Sequence, residues 1–309
     1  MAVIFFFLDG VGLAPAGPDN PLSTTPMPAL AALLGGPLTS EQPQQRPGLL
    51  LKPIDATLGV GGLPQSGTGH TALLAGVNAA ALYGRHQPAY PPVALRPLLA
   101  EHNLLRRVIE RGGRATFANV FVPEYWQAIT ERRRRQPASV IAAEGAGLRF
   151  RTLDDLRAGA GLSWDITGAA LREQVGPSVP VVPARQAGAN LARLADDHDL
   201  VFFECFLPDL AAHGRLPGGL DAALALVDDC LGGVLAALGP GSTLLLTSDH
   251  GNAESLAAPA HTRNPVPLLA VGPQALAFAA VADIAGVAGA VLASLGLAGG
   301  QTSQPQRGS

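Results

Sequence analysis

Residues 3–12 read VIFFFLDGVG. Val3 to Leu8 is a short, unbroken apolar run, and a run of this kind suits a β-strand covered on both faces. Asp9 follows at once, with Gly10 and Gly12 able to turn the backbone beside it. Similar runs recur at Leu200–Phe206 (LVFFECF), Ser242–Thr247 (STLLLT) and Val266–Val271 (VPLLAV). Between the first two of these, Leu216–Leu238 carries Ala and Leu at helical spacing and stops at Gly239-Pro240-Gly241. Asp283–Leu295 reads as a final helix. Strands alternating with helices predict an α/β fold: a doubly wound, mostly parallel sheet with helices on both faces.

The middle of the chain differs. Arg114–Val122 reads as another strand, but 123–183 has weak periodicity, scattered Gly and Pro, and four arginines in a row at 132–135. The expected organisation is therefore a core made of 1–122 and 184–298, a small insertion or partial cap at 123–183, and a disordered polar tail at 299–309. The arginine run is read as a solvated face.

Composition narrows the function classes. The 309 residues are 48% apolar, enough for one large core. A net charge of −3 gives no electrostatic footprint for nucleic acid or an anionic membrane. The opening apolar run has no basic n-region or cleavage site, and no stretch reaches the roughly 18 apolar residues of a membrane span. Cys205 and Cys230 sit in apolar surroundings outside any C-x-x-C pair, as buried thiols do. A cytoplasmic protein is expected; composition leaves the oligomeric state open.

Four clusters carry chemistry, each at a strand end or helix start, the edge where open parallel sheets bind ligands. Asp9 is the first; alone, an Asp-Gly after a strand is an ordinary turn. The second is Gln65-Ser66-Gly67-Thr68-Gly69-His70. It puts Ser66 at a helix N-terminus, where free N–H groups and the dipole favour an anion, and its glycines leave room for a bulky ester. A plain N-cap serine is the competing reading, and the absence of G-K-[ST] excludes a Walker loop. The third is Asp209 and His213, which share a face if helical and can chelate one cation. The fourth is SDHGNAE at 248–254, with Asp249 and His250 adjacent at a strand end and His261 eleven residues on; a histidine satisfied by backbone competes for His261. Together the six Asp and His side chains divide into two sets of three beside a serine hydroxyl. Oxygen and imidazole donors without thiolate suit two divalent cations, Mn²⁺ or Zn²⁺, and such pairs serve phosphoryl transfer. His70, Gln65 and Asn252 are candidates to orient these groups, as is Glu254; simple turn chemistry competes for Asn252 and Glu254. Arg85 is the candidate phosphate contact.

At these residues the sequence resembles the alkaline phosphatase superfamily of metalloenzymes, and within it the branch of cofactor-independent phosphoglycerate mutase and phosphopentomutase. LDGVG, S-x-x-G-H at Ser66–His70, D-x-x-x-H at Asp209–His213, SDHGNAE, and AHTRNPVPLL at 260–269 match in kind and order. The resemblance implies that Asp209, His213 and His261 hold one metal. It implies that Asp9, Asp249 and His250 hold the other, with Ser66 bound there and taking the phosphoryl group as phosphoserine. The mutases carry a large closing domain between nucleophile and second ligand set. Here 67–208 must supply both core elements and any lid, and it has no evident basic set for a second phosphate. The sulfatase pattern does not fit Ser66-Gly67-Thr68-Gly69. The expectation is thus a two-metal phosphohydrolase or phosphodiesterase acting on a small phosphate ester, with a phosphomutase, or a non-catalytic metal-stabilised binding module, as alternatives.

Overall fold

The computed structural model describes residues 1–258 and 260–297; the tail expected at 299–309 lies outside the described residues. Seven strands form one sheet: β1 (Ala2–Leu8), β2 (Gln44–Arg46), β3 (Leu49–Ile54), β4 (Ala115–Phe117), β5 (Leu200–Cys205), β6 (Ser242–Ser248) and β7 (Val266–Val271), in the order β2-β3-β7-β6-β1-β5-β4. β1 is central and buried along its whole length. Its alternation explains the unbroken apolar run: Val3, Phe5 and Phe7 enter one core, and Ile4, Phe6 and Leu8 enter the core on the opposite face. Edge-to-face pairs on the two faces, Phe5 with Phe202 and Phe6 with Phe203, lock β1 to β5 at centroid distances of 5.3 and 5.1 Å.

The sheet is less parallel than the sequence predicts. β6, β1, β5 and β4 are parallel neighbours, whereas β7 runs antiparallel to β6, and β3 antiparallel to both β7 and β2. The cause is the β6–β7 connection, which contains no helix among its described residues; without a crossover the chain returns in the opposite direction. β3 contains Pro53, a poor sign of a strand. β2 pairs only with Leu49–Leu51, so Pro53 lies where the strand is an edge.

The expected helices appear at Gly219–Ala237 and Gly286–Ser294, and the Arg114–Val122 strand is regular only over β4. Beyond it, Asn119 and Val120 make single bridges to Leu162 and Arg151. Residues 123–183 do not behave as one unit. The Ala138–Gly145 helix joins the same core as Val3 and Phe5, while Val120, Val122, Leu156, Leu171 and Val179 form a small separate cluster. Arg132–Arg135 are exposed; Arg133 pairs with Glu131 and Arg134 lies over Tyr125. Both cysteines are buried free thiols. No helix among the described residues is long and apolar enough to cross a membrane.

Register positions the site. Leu8 stands level with Cys205 of β5 and Ser248 of β6, so the residues that leave these three parallel strands emerge side by side at their C-terminal edge.

Candidate metal centre

Asp9 leaves β1, Asp249 and His250 leave β6, and Asp209 lies on the short Leu207–Ala212 helix after β5, with His213 as its C-cap. The candidate ligand atoms gather as Asp9, Asp249 and His250, and as Asp209, His213 and His261, each set within 4.8 Å of one another. In the first set His250 Nε2 stands 3.3 Å from Asp9 Oδ1 and 3.2 Å from Asp249 Oδ2. In the second, His213 and His261 present their Nε2 atoms to Asp209 Oδ1 at 3.4 and 3.6 Å, and to each other at 3.3 Å. The rings of His250 and His261 stack at 3.7 Å, which joins the two sets.

The donor chemistry fits cations. Asp9 Oδ1 and Asp249 Oδ2 are buried without a hydrogen-bond donor, a costly state for carboxylate oxygens unless a positive charge satisfies them. His261 Nδ1 lies 2.9 Å from the Pro64 carbonyl. A carbonyl only accepts, so the proton sits on Nδ1 and Nε2 turns a lone pair toward Asp209 and His213. Burial pushes His250 down to about 4, with the Asp9 carboxylate opposing; the ring is neutral at pH 7, as a ligand must be. Burial, then the charge of Asp9, pushes Asp209 upward. That is the mark of crowded carboxylates with too little positive charge near them.

Ser66 opens the ten-residue Ser66–Ala75 helix behind Gln65, whose backbone is extended and whose side chain makes no cap bond. Ser66 Oγ stands 3.0 Å from His250 Nε2. The glycines beside it serve a purpose other than the room for an ester that the sequence implied. A Cβ on Gly67 would come within 2.4 Å of the Tyr90 carbonyl oxygen, and one on Gly69 within 2.8 Å of Asp249 Cβ. They bring the helix against protein.

The orienting candidates resolve individually. Asn252 Nδ2 donates to Asp209 Oδ1 at 2.7 Å. Glu254 accepts from the backbone N–H groups of Gly12 and Asn252 at 2.9 and 2.8 Å, from Asn264 Nδ2 at 3.0 Å, and from Thr262 Oγ1; it ties the loop after β1 to the loop after β6. His70, one turn beyond Ser66, places Nε2 at 3.3 Å from Asp9 Oδ2 and 3.1 Å from Asp249 Oδ2. Arg85 is exposed over the Tyr83 ring, 5.4 Å from its centroid, and makes no ion pair or hydrogen bond to the six ligands or Ser66. The residue that sequence reading missed is Glu204, buried in β5 with Oε1 3.4 Å from His70 Nδ1. Its signal was present: an acid inside an apolar strand is almost never buried without a partner.

A model of the Metalloenzyme superfamily matches residues 1–298. Among curated proteins, the 2,3-bisphosphoglycerate-independent phosphoglycerate mutase of Syntrophotalea carbinolica is 42% identical over 93 residues, 28% of this chain and 18% of that protein. The Coxiella burnetii enzyme of the same name is 36% identical over 110 residues, 33% of this chain and 21% of that protein. The matched stretch thus spans about a fifth of the length of these relatives. Two solved structures share the fold at low identity. Alkaline phosphatase from the Antarctic bacterium TAB5 has a TM-score of 0.54 at 13% identity, covering 96% of this chain and 99% of that one. Leishmania mexicana phosphoglycerate mutase has a TM-score of 0.50 at 11% identity, covering 98% and 97%. The resemblance read from LDGVG, SDHGNAE and their companions therefore holds over the whole core, and the chain belongs to the Metalloenzyme superfamily.

Proposed function

We propose that this chain catalyses metal-dependent phosphoryl transfer from a small phosphate ester, with Ser66 taking the phosphoryl group before a second acceptor removes it. The observation that carries the reading is the position of Ser66 Oγ, 3.0 Å from His250 Nε2 at a helix N-terminus beside the Asp9–Asp249–His250 set. Asp209, His213 and His261 would hold one cation and Asp9, Asp249 and His250 the other, with Mn²⁺ or Zn²⁺ suited to the donors. When bound, the cations supply the positive charge that makes serine a better nucleophile and steadies the departing oxygen.

The chain's own groups do the positioning. Asn252 fixes Asp209, the Pro64 carbonyl fixes the His261 tautomer, and Glu254 clamps the two loops. The first N–H groups of the Ser66–Ala75 helix lack intrahelical partners, and with the helix dipole they favour the negative charge of the serine oxygen and of the phosphoryl group. Ser66 Oγ gives up its proton and bonds to phosphorus as the ester P–O bond breaks, and the leaving oxygen takes up a proton; the acceptor oxygen then loses a proton and bonds to phosphorus as the Ser66 Oγ–P bond breaks, and Ser66 regains its proton.

Water is the acceptor we favour. The Ala138–Gly145 helix belongs to the core, and the Arg132–Arg135 run is exposed and engaged with Glu131 and Tyr125, so little of 67–208 remains to close over a substrate. A phosphomutase, with a second substrate hydroxyl as acceptor, is the other reading, supported by the sequence relatives, which are mutases. Mn²⁺-loaded protein should turn over members of a panel of phosphate mono- and diesters, phosphoglycerates included, and phosphorylated Ser66 should be trapped on acid quenching. Ser66→Ala should lose on the order of 10³-fold or more in kcat. Turnover equal to that variant contradicts the proposal. Inorganic phosphate as the main product supports hydrolysis; an isomerised ester with little phosphate supports the mutase.

A further inference from the structure

Glu204 lies outside both ligand sets, yet it is 2% exposed and points into the same region. Its strand position, level with Phe7, puts it on the face that the Ser66–Ala75 helix covers. Oε1 lies 3.4 Å from His70 Nδ1, and Oε2 accepts from Ser139 Oγ at 2.5 Å. Across the ring, His70 Nε2 faces Asp9 Oδ2 and Asp249 Oδ2. One imidazole therefore spans two carboxylates of the first ligand set and a third carboxylate that ligates nothing in either set.

Phe7 meets the ring edge-on at 4.6 Å and Phe206 stacks on it at 6.4 Å, and its two nitrogens face carboxylates on opposite sides. A histidine held by a carboxylate on one nitrogen and facing metal-ligating groups with the other is the arrangement by which outer residues orient ligands.

We infer that Glu204 and His70 form a positioning couple that sets Asp9 and Asp249 for the cation nearest Ser66, and that Ser139, on the Ala138–Gly145 helix, fixes the outer end of that couple. This rests on the metal-centre reading above. It assigns a role to one of the two cation sites only, because the Asp209–His213–His261 set is oriented by Asn252 and Pro64 instead.

Calorimetric titration of metal-free protein with Mn²⁺ tests it. Wild type should bind two equivalents. Glu204→Gln and His70→Gln should weaken one equivalent about 10- to 100-fold and leave the other unchanged, with the circular dichroism of the wild type. An Asp209→Asn background, which disables the other site, should show that the weakened equivalent is the one at Asp9, Asp249 and His250. Ser139→Ala, also buried, removes only one hydroxyl, should keep the fold, and should weaken the same equivalent several-fold. Two equivalents of wild-type affinity in Ser139→Ala, and in whichever of the other variants fold, overturn the inference and leave the metal centre standing. Three equivalents in wild type, falling to two in Glu204→Gln, overturn it differently, since Glu204 would then be a ligand itself. A wild type that binds no Mn²⁺ overturns the metal centre and the inference with it.

Discussion

His250 touches Ser66, Asp9, Asp249 and His261 at once, and its protonation decides whether the site can accept a cation. Burial holds the imidazole down to about 4, against about 6.5 in an unfolded chain. Between those values the unfolded state carries a proton that the folded state does not, so the contribution of His250 to stability grows as pH rises from about 4 to 6.5 and is lost as pH falls through 4. In metal-free protein, NMR of the imidazole should show a neutral ring down to about pH 4. The urea-derived stability difference between wild type and His250→Asn should move in favour of wild type across that window. A midpoint near 6.5, or a flat difference, would contradict the buried, neutral ligand described here.

At the scale of elements, the Ser66–Ala75 helix is pressed against the end of β6 through Gly69. Gly69→Ala puts a methyl group 2.8 Å from Asp249 Cβ and 3.1 Å from its backbone oxygen, and backbone yields little. The expected cost is about 1–3 kcal/mol of stability, the usual range for overpacking, with weaker cation binding at Asp249; chemical denaturation with and without Mn²⁺ measures both. Wild-type stability would mean that the helix stands off from β6. The sequence announced this element well, because an apolar stretch follows Ser66 and its glycines. It announced β1, β5 and β6 equally well, since central strands must be apolar on both faces. It did not announce β3, where Pro53 argues against a strand until the short reach of β2 is known. Nor did it give the direction of β7, which depends on a loop that could have held a crossover helix. The partners of Glu204 were hidden for a related reason. Within LVFFECF the pattern says strand, and only the three-dimensional neighbours His70 and Ser139 make a carboxylate tolerable there.

For the whole molecule, the six candidate ligands could be named from sequence because Asp9 and the Asp249-His250 pair follow strand ends and Asp209 and His213 lie on the short helix after β5, while His261 comes from the β6–β7 loop; β5 and β6 flank β1 in register. Which ligands would group together came from resemblance, and the geometry gathers them in those same two sets. The division of 123–183 between core and periphery was not legible, since the Ala138–Gly145 helix is short and shows its burial only when packed. Cation binding should stabilise the whole chain, because a centre that joins β1, β5 and β6 exists only when folded. A single site at a hundredfold excess of metal over Kd adds about 2.7 kcal/mol. Calorimetric melting should therefore show a clear rise in Tm with Mn²⁺, reversed by chelator and reduced when Asp209→Asn removes one set. No response to metal would contradict it.

The most direct measurement is anomalous diffraction from crystals soaked in Mn²⁺. Two peaks are predicted, one among Asp9, Asp249 and His250 beside Ser66, the other among Asp209, His213 and His261. An ordered crystal with no peak at either set, or with manganese bound only elsewhere on the surface, would contradict the account.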